Sequence, residues 1–467
     1  MISLRVAAPF TIALLLSGCV VGPNHTPPEI ALPGKFAEGS KQSNGDVSMA
    51  AWWSAFNDRR LSGLVDSGLA QNLTVLQAIE RINAASASVT VAASSGLPSL
   101  NAGASEDVSG QGGKLRNQKD VRSTTSGGLS LSWLLDFFGQ VKRSKESAQA
   151  SLDAAYANVD VARLALLSDL VATYIDARYY QERIELARKN LKSRQETLAL
   201  TRFQLEAGAA SRLDVVQAEG LVNSTLSDIP GLETQFRVSA HHIATLLGLP
   251  ASTLISDMQK PARQPVARFR PRAGVPADLI RNRPDIRRAE RELAAAVADI
   301  GVAEAQLYPT ITLGGSISPS YIGSKSVKGA LTSWSFGPSL NLPVFDGGRL
   351  RANVDITESN ARNQYLAWKA AVLQAVEEVE NALAAVSRDA RAVEALRAEV
   401  KSYEEALQLS TASYKDGASS LLDVLDAQRS VSDAQARLAQ AVQQMAKDYV
   451  SLNVAIGGGY APEAKTN

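Results

Sequence analysis

Cysteine is almost absent from this chain: Cys19 is the only one in 467 residues. No internal disulfide can form, and no cysteine-based metal site is available. Histidine is nearly as scarce, with His25, His241 and His242 alone, which argues against a histidine metal or acid/base centre. Charge of one sign is also missing. Lys and Arg number 48 against 47 Asp and Glu, so no global field points to nucleic acid or to an acidic membrane surface. After Cys19 no stretch is apolar for the length of a membrane helix. Any crossing of a bilayer must therefore be made by strands closed into a barrel. No nucleophile–base pair and no phosphate loop emerges; Gly347-Gly348 is not followed by the lysine and hydroxyl such a loop needs. The expectation is a protein that is not an enzyme and holds no cofactor or metal.

The lone cysteine has a local context. Arg5 precedes an apolar run from Val6 to Leu16, too short to span a bilayer. Leu16-Ser17-Gly18-Cys19 then resembles the lipobox of bacterial lipoproteins. The resemblance implies cleavage before Cys19 and lipid on its sulfur. Val20 in place of Asp after the cysteine implies sorting to the outer membrane. Several acyl chains, at about 0.8 kcal/mol per buried CH₂, give a stable anchor.

What the chain has in quantity is helical periodicity, and it has it twice. Gly208-Ala-Ala-Ser-Arg-Leu-Asp is matched by Gly417-Ala-Ser-Ser-Leu-Leu-Asp. Gly208 and Gly417, Ser211 and Ser420, Leu213 and Leu422, and Asp214 and Asp423 correspond at one constant offset. Each glycine can end a helix with positive φ. Each S-x-x-D pair has capping-box spacing and opens the next helix. Upstream of the first turn, Leu152, Ala155, Val159, Ala162, Leu166, Leu170 and Tyr174 keep a three/four spacing. The pattern predicts one helix over 140–206, on the order of 100 Å at 1.5 Å per residue. Upstream of the second turn, Ala361, Tyr365, Trp368, Val372, Ala375, Val379, Leu383 and Val386 do the same.

Before each long helix lies a pair of strand-like segments. Leu129, Leu131 and Trp133 alternate with Ser130 and Ser132; Trp334, Phe336, Pro338, Leu340 and Leu342 alternate with Ser333, Ser335, Gly337, Ser339 and Asn341. Tyr321 and Trp334 suit an interfacial aromatic girdle. A helix is expected from about 57 to 94. Another should run from 211 to about 247, interrupted or weakened at Pro230-Gly231.

The organisation expected is therefore a signal peptide over 1–18, a lipidated tail over 19–56 and a first repeat over 57–249. A Pro- and Arg-rich connector over 250–276 follows, read as solvated. A second repeat over 277–457 and a short tail over 458–467 complete the chain. Four strands are too few for a single-chain barrel, which starts at eight. Either copies pool their strands or the strands are not in the membrane. The pattern leaves dimer, trimer and tetramer open.

Several further stretches occur in a fixed order. They are Trp52-Trp53 with Phe56 and Asp58, Arg283-Pro284-Asp285-Ile286 with Ala289-Glu290, and Tyr308-Pro309. Leu342 to Arg349, and Tyr414 with Gly417 and the run 421–429, complete the set. With the lipobox, they resemble the TolC-type outer-membrane channels, in the lipoprotein branch that works with RND efflux pumps. The resemblance implies a mainly α fold with membrane β-structure: a homotrimer, four strands per chain in a twelve-stranded β-barrel, continued by an α-helical barrel in the periplasm. It implies an outer-membrane location and lipid contact, a periplasmic adaptor (membrane fusion) protein and an inner-membrane RND transporter as partners, and no nucleic acid. It also carries over the gate: Leu422 and Asp426 match the apolar and acidic rings of the closed aperture, with Asp423 near the same helix face. Gly208, Ser211, Leu213, Asp214, Gly417 and Ser420 become tip turns where the adaptor docks. Asp214 and Asp423 read first as caps, and Tyr414 as a packing residue able to bond a neighbouring helix. Two departures stand out: Asn282, where the family often has arginine, and Ser419, where some members carry an arginine that ties the closed tip together. The competing readings are a duct for type I protein secretion, a structural coiled-coil lipoprotein and a periplasmic adaptor.

Overall fold

A computed structural model describes residues 20–38, 51–111, 120–267, 283–324 and 327–459. Cys19, Arg268, Arg270, Arg272 and Asn282 lie outside the described residues, as do the signal segment and residues 460–467.

Seven long helices, one four-residue helix (Ile255–Met258) and four strands make up the described chain. Helices α1 (Arg59–Gln71) and α2 (Leu73–Ser94) precede strands β1 (Ser99–Gln111) and β2 (Asp120–Leu135). Helix α3 (Gln140–Glu206) and helix α4 (Arg212–Leu246) complete the first set. The second set is α5 (Pro284–Ala305), β3 (Thr310–Gly323), β4 (Lys328–Asn341), α6 (Arg349–Lys415) and α7 (Leu421–Ala455). Helices α3 and α6 have 67 residues each, and α4 and α7 have 35 each. The duplication read from the turns thus extends to helix length.

The chain forms two compact units, and each draws on both repeats. The first unit holds residues 1–30, 80–156 and 288–369. Its centre is an antiparallel sheet in the order β1-β2-β3-β4. The register puts Leu100 opposite Leu131, Trp133 opposite Leu313, and Ile317 opposite both Leu129 and Trp334. Because side chains alternate between faces, these residues share one face with Phe336, Leu340 and Tyr321. The other face carries Asn101, Ser105, Ser126, Ser130, Ser132, Ser316, Ser333, Ser335 and Ser339. Hydroxyls bridge neighbouring strands there, Ser105 with Ser126 and Ser316 with Ser335, both at 2.9 Å. Several large apolar side chains of the first face are open to the exterior, Trp334 at 78% and Phe336 at 67%.

Pro319 sits inside an interior strand and has no N–H for the ladder. Opposite it, pairing of β2 with β3 skips Gly127 and Gly128 and resumes in the same register. A Cβ on Gly128 would stand 3.1 Å from the carbonyl oxygen of Ile317. The glycine lets the two backbones approach where the proline interrupts them.

The second unit holds residues 31–79, 157–287 and 370–467. Its core gathers Leu61, Val65, Leu167, Leu170, Val171, Tyr174, Ile175, Ile243, Met258 and Tyr449. Trp52, Trp53 and Phe56 form a 3-10 turn that inserts into this core, with Trp52 edge-on to Trp53 and both Trp52 and Phe56 edge-on to Tyr449. Asp58 caps α1 and also accepts from the Tyr174 hydroxyl at 2.5 Å. The spacing on α6 is largely reproduced as burial: Val372, Ala375, Val379 and Leu383 are all at or below 3% exposure. In the first unit, Tyr365 of the same series is instead exposed.

Two expectations are corrected and a third is refined. The helix expected over 57–94 is two helices, because Asn72 intervenes. Its Oδ1 accepts from the N–H groups of Thr74 and Val75, and its Nδ2 donates to the carbonyl of Leu246 at 2.8 Å. Pro230 does not interrupt α4. It lies on the exposed side, where water can satisfy the carbonyl it leaves without a donor. The described first part of the connector is mostly exposed but is pinned at one point. Met258 is 1% exposed, and its carbonyl accepts from Gln181 Nε2 at 2.8 Å.

Candidate functional site

The two interhelical turns are built alike to the level of single hydrogen bonds. Gly208 and Gly417 have φ of +74° and +73°. The N–H of Ala209 reaches back to the carbonyl of Gln204, and that of Ala418 to Ser413, both at 2.8 Å. This six-to-one bond closes the preceding helix. Ser211 and Ser420 then open α4 and α7 with reciprocal capping boxes. The Asp214 carboxylate takes the N–H and hydroxyl of Ser211 at 2.8 and 2.7 Å. Asp423 takes those of Ser420 at 3.0 and 2.9 Å. One carboxylate oxygen of each acid is thereby committed to its turn.

Behind the turns lies a small apolar core of Leu198, Val215, Ala218, Leu221, Val222, Tyr414, Leu421, Val424 and Leu425. Residues from both repeats meet in it. Tyr414 is 7% exposed, and its hydroxyl lies 3.4 Å from that of Thr201. Leu213 and Leu422 are left out of this core, at 64% and 52% exposure. Asp426, one turn into α7, is exposed, and its Oδ1 accepts from Arg429 Nη1 at 2.9 Å. Ser419 Oγ reaches the carbonyl of Ser410 at 3.5 Å. Asp423 and Asp426 therefore differ in kind, one held by a cap and the other by a flexible arginine.

The sequence reading missed a polar seam beside this core. Arg194 is 8% exposed and donates to the hydroxyls of Thr225 and, at 2.8 Å, Ser432. Burial lowers its pKa, and the nearby Arg429 adds to that. Gln428 Nε2 donates to Thr197 Oγ1 at 2.9 Å, and Asn190 Nδ2 to Gln435 Oε1 at 3.3 Å. The signal was available: Asn190, Arg194, Thr197 and Thr201 recur at helical spacing between the apolar positions of α3.

Among the described residues no group of three or more His, Cys, Asp or Glu side chains is placed to hold a metal ion. No described helix is long and apolar enough to cross a membrane. The candidate surfaces are an exposed apolar sheet face with a hydroxyl-lined opposite face in the first unit and, in the second, the paired helical turns.

The model of the family described as outer membrane efflux protein matches residues 64–249 and 275–458. Nodulation protein T of Rhizobium leguminosarum bv. viciae is 60% identical over 459 residues, covering 98% of this chain and 94% of that protein. Outer membrane protein OprJ of Pseudomonas aeruginosa is 33% identical over 454 residues, covering 96% and 95%. The solved outer-membrane channel OprN superposes with a TM-score of 0.85 at 31% identity, covering 94% of this chain and 99% of that one. The fold is that of the TolC-type channels, which sit in the outer membrane and extend into the periplasm. The duplication legible in the two turns is the duplication that the family model matches twice, and the chain belongs to the outer membrane efflux protein family.

Proposed function

We propose that this chain is the outer-membrane exit duct of a tripartite RND-type efflux system. The observation that carries the reading is the sheet. Among the described residues it has four strands, an apolar face and a hydroxyl face, and β1 and β4 each pair on one side only. Strand edges cannot stay open in lipid. Three copies would join β1 of one chain to β4 of the next and close twelve strands. The apolar face with Trp334, Phe336 and Leu340 then meets lipid, and the serines face the passage.

The duct is passive, and an inner-membrane transporter supplies the energy. The turns at Gly208–Leu213 and Gly417–Leu422 are the docking points for a periplasmic adaptor. Leu422 and Asp426 narrow the aperture, while Asp214, Asp423, Ser211 and Ser420 hold the turns in shape. Lipid on Cys19 anchors the tail. Relatives at 29 to 31% identity are named for cation efflux and for pyoverdine export. That spread supports a duct whose cargo is selected elsewhere.

The test is assembly and conductance. The purified chain should run as a detergent-resistant trimer and conduct ions in planar bilayers. A photo-crosslinker at Ala209 or Ala418 should capture an adaptor bound to an RND transporter. Capture of an ABC-transporter complex instead would assign the duct to type I protein secretion. A monomer without conductance would remove the channel reading.

A further inference from the structure

The two repeats part company at the strand-to-helix junction. Gly139 and Gly348 occupy matched positions, with φ of +81° and +89°. A Cβ on Gly348 would meet nothing within 4 Å. A Cβ on Gly139 would come within 2.8 Å of Val20 Cγ1 and 3.1 Å of Val20 Cα. Four residues on, the matched positions hold Arg143 and Ala352. Only the first repeat carries a cationic side chain there.

That side chain is 3% exposed and reads the tail. Arg143 Nε donates to the carbonyl of Val21 at 3.0 Å. Its Nη2 donates to the carbonyl of Gly22 at 2.8 Å and to Asn24 Oδ1 at 2.9 Å, and its Nη1 to Glu146 at 2.8 Å. The N–H of Val21 bonds the carbonyl of Phe138 at 3.2 Å. Two further glycines make room. Gly22 has φ of +88°, and a Cβ on it would lie 2.4 Å from Gly301 Cα. A Cβ on Gly301 would lie 2.8 Å from Arg143 Cγ. One residue past Asn24, His25 Nε2 meets Glu290 Oε1 at 2.6 Å. A buried guanidinium is costly unless its donors are used. Here four bonds use them, three of which go to residues 21–24.

We propose that Gly22, Gly139, Arg143 and Gly301 form a socket that registers the amino-terminal tail against the β2–α3 junction, fixing the level at which the lipid anchor and the strands enter the outer membrane. The inference rests on lipidation of Cys19. Val20, seated against Gly139, is the residue that follows Cys19 in the chain, so a lipid on Cys19 is tethered directly to a seated residue. Without the socket, the same lipid would hang on a loose tail and leave the depth of the strands unspecified. The second repeat, with Ala352, has no tail to seat.

Full-length protein is labelled with radioactive palmitate, purified as the assembled channel and placed in vesicles of brominated phosphatidylcholine. Hydrogen exchange is read over residues 20–28, and bromine quenching of Trp133 and Trp334 reports strand depth. Arg143→Ala should exchange at 20–28 roughly tenfold faster and shift the depth profile, with palmitate retained. Arg143→Lys should fall between it and the wild type. If Arg143→Ala does not assemble, the tail-only variant Asn24→Ala with His25→Ala should move both readouts in the same direction. Unchanged exchange, or faster exchange with unchanged quenching depth, overturns the inference while leaving lipidation intact. A wild-type chain that takes up no palmitate removes the lipid reading and the inference with it.

Discussion

Asp426 accepts a hydrogen bond from Arg429 Nη1 at 2.9 Å, across three residues of the same helix. Both side chains are more than half exposed, so the pair is easily exchanged for other partners. A ring of three such carboxylates would raise local cation concentration. Asp426→Ala is therefore expected to raise single-channel conductance and lower cation preference in planar bilayers. Arg429→Ala should strengthen cation preference by freeing the carboxylate. Wild-type conductance and reversal potential in both variants would remove Asp426 from the gate.

The capping boxes give a contrasting expectation. Ser420→Ala removes the hydroxyl that accepts the N–H of Asp423, at a cost of about 1 kcal/mol. Amide exchange in the first turn of α7 should accelerate roughly fivefold, with single-channel conductance little altered. The same holds for Ser211→Ala in α4.

On the sheet, neighbouring residues on opposite faces should respond in opposite ways. Phe336→Arg places a charge on the apolar face, costing about 2–4 kcal/mol at the bilayer midplane. Ser335→Arg places it among hydroxyls. Outer-membrane trimer yield should collapse for the first and persist for the second. Equal yields would argue against the assignment of faces.

Arg283 gathers three partners at the start of α5. It binds Asp285 through two nitrogens at 3.0 and 2.7 Å, Glu378 at 2.6 Å, and the carbonyl of Ala455 at 2.9 Å. Arg283→Ala leaves two carboxylates facing a vacated site. Allowing for their partial exposure, a loss of about 2 kcal/mol is expected. Chemical denaturation would read it, and Arg283→Lys should recover only part, since a lysine cannot form the two-point contact.

Asp448 supplies a pH dependence. Burial, and then its hydrogen bond with Asp389, pushes it up from 3.8 to about 7. Asp389 Oδ2 is sealed from solvent. A raised folded value means that stability is fully present below 3.8 and is lost as pH rises through about 7. The melting temperature of the assembled protein should be lower at pH 8 than at pH 5. Asp448→Asn should flatten that difference.

Much of this was legible because local rules dominate it. The repeated glycine, serine and aspartate fix the turns through contacts three residues apart, and they stand in the structure as the sequence suggests. Helix α3 runs over the residues its apolar spacing marks. What escaped reading depends on neighbours distant in sequence. Asn72 looks like any helical asparagine until Leu246 comes beside it. Arg143 looks like a surface cation until the tail folds over it. Pro230 looks like a breaker unless its exposed setting is known.

The two kinds of pairing also differ in when they can form. A capping box closes over three residues, whereas β2 meets β3 by bringing Leu129 to Ile317, across an entire repeat. Entropy of loop closure favours the first. The expected order of folding is helical hairpins first, nucleated at their turns, and the central strand pair last, once the second repeat has been delivered. Pulse-labelled hydrogen exchange during refolding would show α4 and α7 protected before β2, and simultaneous protection would refute that order. Until β2 and β3 join, the apolar face carrying Leu129 and Trp334 has no stable partner, and that interval is when the nascent channel is most exposed to aggregation.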